Sequence, residues 1–287
     1  MHKEFAEIYD IFMKYVNYDG WYKFLRTFIK KKGTVLDLGC GTGEFIYRLL
    51  KDDFAVTGVD ISEGMLEMAE KKIKSKNLKN NDYKLIKEDI VNYEHNNEAD
   101  YIMCNFDTVN YLKNEKEFLK FIEKCNRNLK KGGYLIFDAV TEDIFEEIFE
   151  NDIFLDEEPE YTSIWRHEKL GKRKHLVEID LFIRENKNDN LFRKYNEVQN
   201  KFIYEPEWIV ETVQNKGFEI FDTASNPEFG ESRIFFVLKK LKILFIMLSF
   251  SILTSFNSFF IFFFFIFLIF YSQNSNLYFC STFGYFS

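Results

Sequence analysis

Three glycines at every second position, Gly39, Gly41 and Gly43, directly follow an apolar run and are the residues best suited to ligand chemistry. Glycine permits a tight turn in which backbone amides closely approach a ligand. The apolar spacing of residues 44–51 predicts a helix that begins at this turn, so free amide groups would point towards a bound molecule. The succession of strand, glycine loop and helix therefore predicts a small-molecule site.

Carboxylate and amide side chains stand where successive apolar segments end. Asp60, Asp89 and Asn105 each close such a segment, and Asp37 lies just ahead of the glycines. Ligands of open parallel sheets bind beyond the carboxyl ends of the strands, so we expect these side chains at one site. Asp60 follows the glycines by one strand-helix-strand unit, a position from which a carboxylate accepts hydrogen bonds from both ribose hydroxyls. A nucleoside ligand is predicted, although Asp60 and Asp89 are also suited merely to capping the segments that follow.

Glu44 distinguishes this glycine loop from the loops that bind dinucleotides. A dinucleotide loop has the spacing Gly-x-Gly-x-x-Gly and places a pyrophosphate at the helix start. Here Glu44 occupies the position of the last glycine. A carboxylate there would repel a pyrophosphate, and Asp37 adds a second negative charge. An acidic loop suits a nucleoside that bears ammonium and sulfonium groups, and it opposes a nicotinamide-dependent oxidoreductase.

Apolar periodicity predicts the elements that must position these residues. Helices are expected over 5–18 and 21–29, joined at Asp19-Gly20. Strands are predicted at 34–38, 54–60, 83–87, 99–105 and 134–140; the helices between them include 44–51, 63–74 capped by Ser62, and one that ends at Gly132-Gly133. Such alternation requires a parallel sheet with helices on both faces.

The pattern changes beyond residue 152. Extended segments at 161–168, 174–184 and 191–204 predict an antiparallel insertion over about 156–204. A helix at 206–216 and strands at 218–223 and 232–238 are expected to close the sheet with a hairpin. We therefore predict an α/β fold, a Rossmann-like seven-stranded sheet with helices on both faces, plus a small antiparallel β insertion that forms a lid.

The ordered motifs resemble those of the class I S-adenosylmethionine-dependent methyltransferases. The segments that carry the resemblance are 35–43, 59–66, 88–90, 100–107 and 129–138, and it covers roughly residues 9–240. Segment 106–112 and the late Ser232-Arg233-Ile234 are similar to a bacterial subgroup of small, mostly uncharacterised methyltransferases. The resemblance implies the seven-stranded methyltransferase sheet and S-adenosylmethionine as cofactor.

The resemblance also implies a set of cofactor-binding residues. In chain order they are Asp37, Gly39, Cys40, Gly41, Gly43, Asp60, Ile61, Met65, Asp89, Ile90 and Asn105. The loop residues would surround the methionine part, and Asp60 would hold the ribose. Asp89 would accept a hydrogen bond from the adenine amine, a role for which its neighbour Glu88 is the other candidate. Ile90 would pack on the adenine ring. Cys40 would serve as a small side chain in the turn. No metal site is indicated, because the four cysteines share no metal-ligand spacing.

Methyl transfer requires few catalytic side chains. It is an in-line displacement in which the positive charge of the sulfonium disperses, so alignment and exclusion of water supply most of the catalysis. A base helps only when the acceptor must lose a proton. The candidates are His167 in the insertion and Tyr9 and Tyr15 on the first helix. A solvated strand histidine and two packing tyrosines are the simpler interpretations.

A small-molecule acceptor is expected. The formal net charge of -8 opposes a nucleic-acid partner, and the segment after Asn105 lacks the Pro-Pro of nucleic-acid amino-methyltransferases. No Pro-Cys pair marks a cytosine C5 enzyme. The alternative hypothesis is a non-catalytic S-adenosylmethionine-binding module whose lid is a partner surface.

The last 45 residues differ in composition from the rest, so we predict a methyltransferase domain over 1–240 and an apolar tail over 241–287. Residues 243–287 carry no charged side chain, and 252–271 are long enough to cross a bilayer. Lys239, Lys240 and Lys242 precede this segment, which would keep the domain cytoplasmic. Residues 243–283 contain no Ala, Val or Gly, although natural membrane helices use small residues for packing. This composition also fits translation of DNA beyond the true end of a gene. We expect a cytoplasmic protein, membrane-bound only if the tail is a genuine anchor.

Overall fold

The computed structural model describes residues 3–79, 82–95, 97–149, 151–186, 191–225 and 232–242. Contacts divide the chain into the units Met1–Lys242 and Ile243–Ser287. The predicted tail anchor, and its alternative as translated non-coding sequence, lie outside the described residues. Every helix in the described ranges is too short or too polar to span a bilayer.

The described part alternates helices and strands in its first half. The elements in chain order are α1 (Lys3–Phe12), α2 (Tyr18–Arg26), β1 (Thr34–Leu38), α3 (Glu44–Lys51), β2 (Ala55–Asp60), α4 (Glu63–Ser75), β3 (Tyr83–Lys87), β4 (Ala99–Cys104), a 3-10 helix (Thr108–Tyr111), α5 (Glu115–Asn128), β5 (Leu129–Val140), α6 (Asp143–Ile148), β6 (Ile153–Glu157), β7 (Tyr161–Lys169), β8 (Lys174–Arg184), β9 (Phe192–Phe202), α7 (Pro206–Asn215), β10 (Phe218–Ser225) and β11 (Arg233–Lys240).

The central sheet has seven strands in the order β10-β11-β5-β4-β1-β2-β3, which confirms the predicted fold. Strands β1 to β5 pair in parallel, whereas β11 pairs antiparallel with β5 and with β10. The direction of strand order reverses between β1 and β4. Ligands of such sheets bind at this switch point, outside the carboxyl ends of the strands.

Helices bury both faces of the central sheet. Alternate residues of β1 enter opposite apolar layers, because side chains of a strand alternate in direction. Leu36 lies in the layer that contains Phe118 and Phe121 of α5. Val35 lies in the layer built from α2, α3 and α4, which includes the buried Trp21. The strand ends are therefore held from two sides.

The first helical region breaks earlier than predicted. α1 ends at Phe12, and Asp19 and Gly20 lie in the first turn of α2 rather than between the helices. Asn17 explains the difference, because its side chain accepts a hydrogen bond from the Gly20 amide at 2.9 Å and caps α2. The predicted junction at Asp19-Gly20 is wrong.

The end of α5 also differs from the prediction. The helix ends at Asn128, and the segment up to Gly133 belongs to β5 rather than to a helical C-cap. Leu129 pairs with Ala99 of β4 in parallel register, so pairing with the sheet replaces the helical ending that the two glycines suggest.

The insertion is a four-stranded antiparallel sheet in the order β6-β7-β8-β9, hereafter the lid. The predicted antiparallel insertion is confirmed, but it begins at Ile153 rather than near residue 156. β6 has only five residues and two acidic side chains, Asp156 and Glu157, so it lacks a clear strand pattern. The six-residue α6 and the 3-10 helix were likewise too short to predict.

Candidate functional site

The glycine loop between β1 and α3 has a left-handed backbone at all three glycines. The φ angles are 75° at Gly39, 52° at Gly41 and 74° at Gly43, a conformation that side-chain-bearing residues rarely adopt. A Cβ on Gly39 would lie 2.5 Å from the methyl carbon of Thr108, whereas a Cβ on Gly41 would meet no atom within 4 Å. Gly39 is therefore required by close packing, and Gly41 borders open space.

Asp60 holds the glycine loop in place. Its carboxylate accepts hydrogen bonds from the Gly41 amide at 2.9 Å and from the Ser62 amide at 2.8 Å. Burial raises the pKa of Asp60 above its usual value. The simpler capping role is thus present, and the remaining lone pairs of the two oxygens stay available to a ligand.

Asp37 is a buried carboxyl group at the end of β1. Its side chain is 2% exposed, and Oδ2 has no hydrogen-bond partner among the described residues. Burial, with a smaller contribution from nearby Asp60, raises the pKa of Asp37 to about 7. A buried, unpaired carboxylate oxygen costs free energy unless a ligand supplies the missing partner.

Asn105 follows β4, on the other side of β1 from Asp60. The indole N–H of Trp21 donates to its Oδ1 at 3.2 Å. The amide Nδ2 is buried and has no partner in the described part of the chain. Asp37 and Asn105 thus leave one acceptor and one donor unsatisfied at the switch point of the sheet.

One cavity of about 760 Å³ extends from the glycine loop to the lid, a volume typical of small-molecule sites. Its loop end is lined by Asp37, Gly39, Cys40, Gly41, Thr42, Asp60, Ile61, Ser62, Met65, Asp89, Ile90, Asn105 and Phe106. Ten of the eleven predicted cofactor-binding residues are in this lining; the exception is Gly43, where an added Cβ would lie 3.0 Å from the Cβ of Ala69. Asp89 lines the cavity, whereas its competitor Glu88 does not.

The opposite end of the cavity, the lid end, is built mainly from β9. Residues 197–202 of this strand line it together with His175 of β8 and Tyr111 of the 3-10 helix. The Tyr111 hydroxyl donates to Gln199 Oε1 at 3.0 Å. Carboxylate, amide and ammonium side chains at Glu197, Gln199 and Lys201 give this wall a polar character.

The carboxylate of Glu44 is paired with cations and is therefore not a free charge at the loop end. Lys72 lies 2.7 Å from one carboxylate oxygen, and Arg48 pairs with the other. Lys72 also contacts Asp10 of α1 at 2.9 Å, and the Thr42 hydroxyl donates to the same oxygen of Asp10 at 2.7 Å. Burial opposes ionisation of Glu44, but the two cations outweigh it and lower its pKa. The predicted repulsion by Glu44 is therefore weakened by pairing, and Lys72, which contacts both Glu44 and Asp10, connects α1, α3 and α4 around the loop.

Two successive residues after β4 have a left-handed backbone without being glycine. The φ angles are 59° at Phe106 and 46° at Asp107, a conformation that costs on the order of 1 kcal/mol or more and is concentrated at functional sites. Lys201 of β9 and Arg233 of β11 both pair with Asp107, the latter at 3.0 Å. Burial opposes ionisation of Asp107, but these cations lower its pKa. The network joins the lid to the end of β4.

Comparison with known sequences identifies the family. The sequence profile of the family described as "Methyltransferase domain" matches residues 29–198. The protein belongs to this methyltransferase family. The methyltransferase is 28% identical over 253 residues to a Bacillus subtilis protein named "Putative methyltransferase YqeM", an alignment that covers 85% of this chain and 99% of the relative.

Solved structures agree with this assignment. The methyltransferase is similar to an S-adenosylmethionine-dependent methyltransferase from Clostridium acetobutylicum, with a TM-score of 0.72 and 25% identity over 83% of this chain and 98% of that one. The fold is shared with CalS10, an amino pentose methyltransferase from Micromonospora echinaspora, at a TM-score of 0.61 and 20% identity over 78% and 89% of the two chains. The fold is that of the class I enzymes, whose cofactor is S-adenosylmethionine.

The loop end of the methyltransferase fits this cofactor. Asp37 Oδ2 and Asn105 Nδ2 are buried polar atoms without protein partners, as expected of groups that a ligand completes. The space beside Gly41 allows the ligand to approach the backbone. The individual contacts that the family resemblance implies stay predictions.

The structure separates the three candidate bases of the methyltransferase. Tyr9 lines the cavity, and burial raises its pKa well above the usual value, which suits a hydrogen-bond donor more than a base. Tyr15 is 64% exposed and donates to Glu158, so it lies outside the cavity. His167 is also outside the cavity lining.

Among the described histidines only His175 lines the cavity, and no pattern in the sequence distinguished it from His167. The two rings share a hydrogen bond of 2.8 Å, while His167 also contacts Asp152 at 2.9 Å and His175 contacts Glu142 at 3.0 Å. Burial lowers the pKa of His175. Both nitrogens of each ring are engaged, so the pair holds the lid against the chain around α6.

Proposed function

We propose that the protein transfers the methyl group of S-adenosylmethionine to a small polar acceptor bound between the glycine loop and the lid. The observation that carries the proposal is the continuity of the cavity from the loop end to the inner side of β9. Cofactor and acceptor would thus share one cavity. The catalytic domain would span residues 1–240, because β11 ends at Lys240.

The cofactor, when bound, supplies a methyl group activated by the sulfonium charge. The side chains would contribute orientation and exclusion of water rather than covalent chemistry. Asp37 would face the ammonium group at the amino-acid end of the cofactor, and Asp60 would face the ribose. Tyr9, Tyr18 and Phe106 supply aromatic walls that keep water away from the transfer. An acceptor that attacks through a free lone pair, such as a neutral amine, requires none of the three candidate bases for the transfer itself.

The lid end supports a small polar acceptor. Polar side chains of β9 line a cavity of about 760 Å³, a size that suits a small molecule. The amino pentose methyltransferase CalS10, which shares the fold, acts on a sugar. An acceptor rich in hydrogen-bonding groups would match the alternation of carboxylate, amide and ammonium along β9.

The direct test is formation of S-adenosylhomocysteine. Purified protein, S-adenosylmethionine and a low-molecular-mass extract of bacterial cells are incubated, and the product is quantified by mass spectrometry. We expect product to accumulate above the level without extract. Cofactor binding in calorimetry without any product across extracts would favour the non-catalytic binding module.

A variant tests the assignment of the cofactor site. Asp60→Ala should weaken S-adenosylmethionine binding by about 1 to 3 kcal/mol, because it leaves polar groups without partners. Asp222→Ala, at an exposed position of β10, serves as the control and should bind normally. Unchanged affinity in a folded Asp60→Ala protein would refute the assignment.

A further inference from the structure

We infer that Trp21 is a positioning residue for the cofactor: its indole N–H turns the Asn105 amide so that Nδ2 donates to the carboxylate of the methionine end of S-adenosylmethionine. Asp37 then accepts from the ammonium group of the same end. The inference deepens the proposed function and rests on it for the identity of the ligand.

The chemistry of the indole fixes the orientation of the Asn105 amide. An indole nitrogen can only donate a hydrogen bond, so the amide atom that it contacts at 3.2 Å must be the oxygen. The amide nitrogen is therefore directed away from Trp21. It is buried, has no partner among the described residues, and belongs to a side chain that is 4% exposed and lines the cavity. A ligand atom that accepts a hydrogen bond would satisfy it.

Strand order places this donor beside the methionine end. The carboxyl ends run β3, β2, β1, β4 across the sheet, with neighbouring strands about 4.8 Å apart. Asp89 follows β3 and Asp60 ends β2, the predicted adenine and ribose positions. The next two positions are Asp37 on β1 and Asn105 after β4. A ligand that lies along this row has its amino-acid end at the last two.

Asp37 and Asn105 together match an α-amino acid group. Asp37 offers a buried acceptor oxygen without a partner, which suits an ammonium group. Asn105 offers a buried donor without a partner, which suits a carboxylate. The opposite amide orientation would bring two acceptors together at this end and would repel the carboxylate. Trp21 prevents that orientation.

The surroundings of Trp21 hold the indole rigidly. Its side chain is 3% exposed, and its ring packs against Phe106 at 4.2 Å and Phe235 at 5.2 Å between centroids. The guanidinium of Arg233 lies 5.4 Å from the ring centre. A phenylalanine at this position keeps an aromatic ring in the same pocket and removes the N–H donor.

The test compares ligands with and without the amino-acid end. S-adenosylhomocysteine carries this end, and methylthioadenosine lacks it. We expect Trp21→Phe to weaken S-adenosylhomocysteine binding by about 5- to 30-fold in calorimetry, and methylthioadenosine binding by less than twofold. Trp208→Phe, in α7 where the ring stacks on Tyr204, is the matched control and should change neither affinity.

A double-mutant cycle separates positioning from a general packing effect. Asn105→Ala should cause the same ligand-selective loss, and Trp21→Phe should add little in the Asn105→Ala background. Equal weakening of both ligands, additive effects, or an unchanged Trp21→Phe affinity would overturn the inference. Should Trp21→Phe fail to fold, Asn105→Ala decides whether the amide binds the amino-acid end. A loss of affinity for S-adenosylhomocysteine but not for methylthioadenosine would support that contact, and an equal loss for both ligands would contradict it. Failure of the wild-type protein to bind S-adenosylhomocysteine would instead refute the cofactor assignment.

Discussion

At the scale of the residue, Asp37 combines a cost in stability with a proposed role in binding. Its carboxyl is buried beside Asp60 and lacks a partner for one oxygen. The pKa is raised from 3.8 to about 7, so the folded protein retains a proton that the unfolded chain loses near pH 4. This group therefore lowers the free energy of unfolding as pH rises from about 4 to 7.

Replacing Asp37 with Asn should reveal both effects. Asn has nearly the same shape and no charge, so Asp37→Asn should increase the free energy of unfolding at pH 8 by roughly 2 to 4 kcal/mol and change it little at pH 4. The same variant should bind S-adenosylmethionine at least tenfold more weakly, because the ammonium group loses its counter-ion. Urea unfolding at the two pH values and calorimetry check these outcomes. A variant less stable than the wild type at pH 8 would contradict the assigned proton.

At the scale of the element, the loop that joins β1 to α3 requires its glycines for two different reasons. Gly39 and Gly41 share a left-handed backbone, but only Gly39 is packed against Thr108. The Gly41 amide donates to Asp60, and the space above its Cα is open. One glycine thus serves the fold, and the other borders the proposed ligand.

Alanine substitutions should distinguish these two glycines. Gly39→Ala combines backbone strain with a clash against Thr108 and should destabilise the protein by about 2 to 5 kcal/mol. Gly41→Ala carries the strain alone, about 1 to 2 kcal/mol, yet should weaken S-adenosylmethionine binding at least tenfold because its methyl group enters the ligand space. Thermal unfolding and calorimetry measure the two quantities. Normal cofactor affinity in Gly41→Ala would show that the ligand does not approach this face of the loop.

At the scale of the whole molecule, buried charges join the lid to the central sheet. Lys201 of β9 pairs with Asp107 after β4, and Asp107 also holds Arg233 of β11. The paired groups are largely buried, and Lys201 forms part of the cavity wall. The position of the lid over the glycine loop therefore depends on an ion network that connects three parts of the chain.

Removal of the lid cation should destabilise the protein more than removal of a surface cation. Lys201→Met leaves Asp107 with Arg233 alone and should lower the free energy of unfolding by about 1 to 3 kcal/mol. Lys194→Met, on the same strand but with an exposed side chain paired to Asp180, should cost at most about 1 kcal/mol. Urea unfolding of both variants at pH 7 provides the comparison. Equal losses would show that the network does not hold the lid.

Short-range patterns of the sequence determined the seven-stranded sheet, the glycine loop and the carboxylates at the strand ends. Apolar periodicity and glycine spacing act over a few residues, so β1, α3 and the cap at Ser62 agree with the prediction. Helix caps and strand pairing override weaker local patterns of the sequence. The predictions for the start of α2, which Asn17 caps, and for the end of α5 were wrong for this reason.

Tertiary structure alone decided which side chains meet in the site. Trp21 reaches Asn105 across 84 positions of the sequence, and Lys201 reaches Asp107 across 94. The same packing places His175 rather than His167 in the cavity wall. Contacts between distant residues depend on how whole elements pack, and local spacing carries no information about that packing. The sequence by itself thus determined the class of ligand, and only the folded chain decided which side chains line its site.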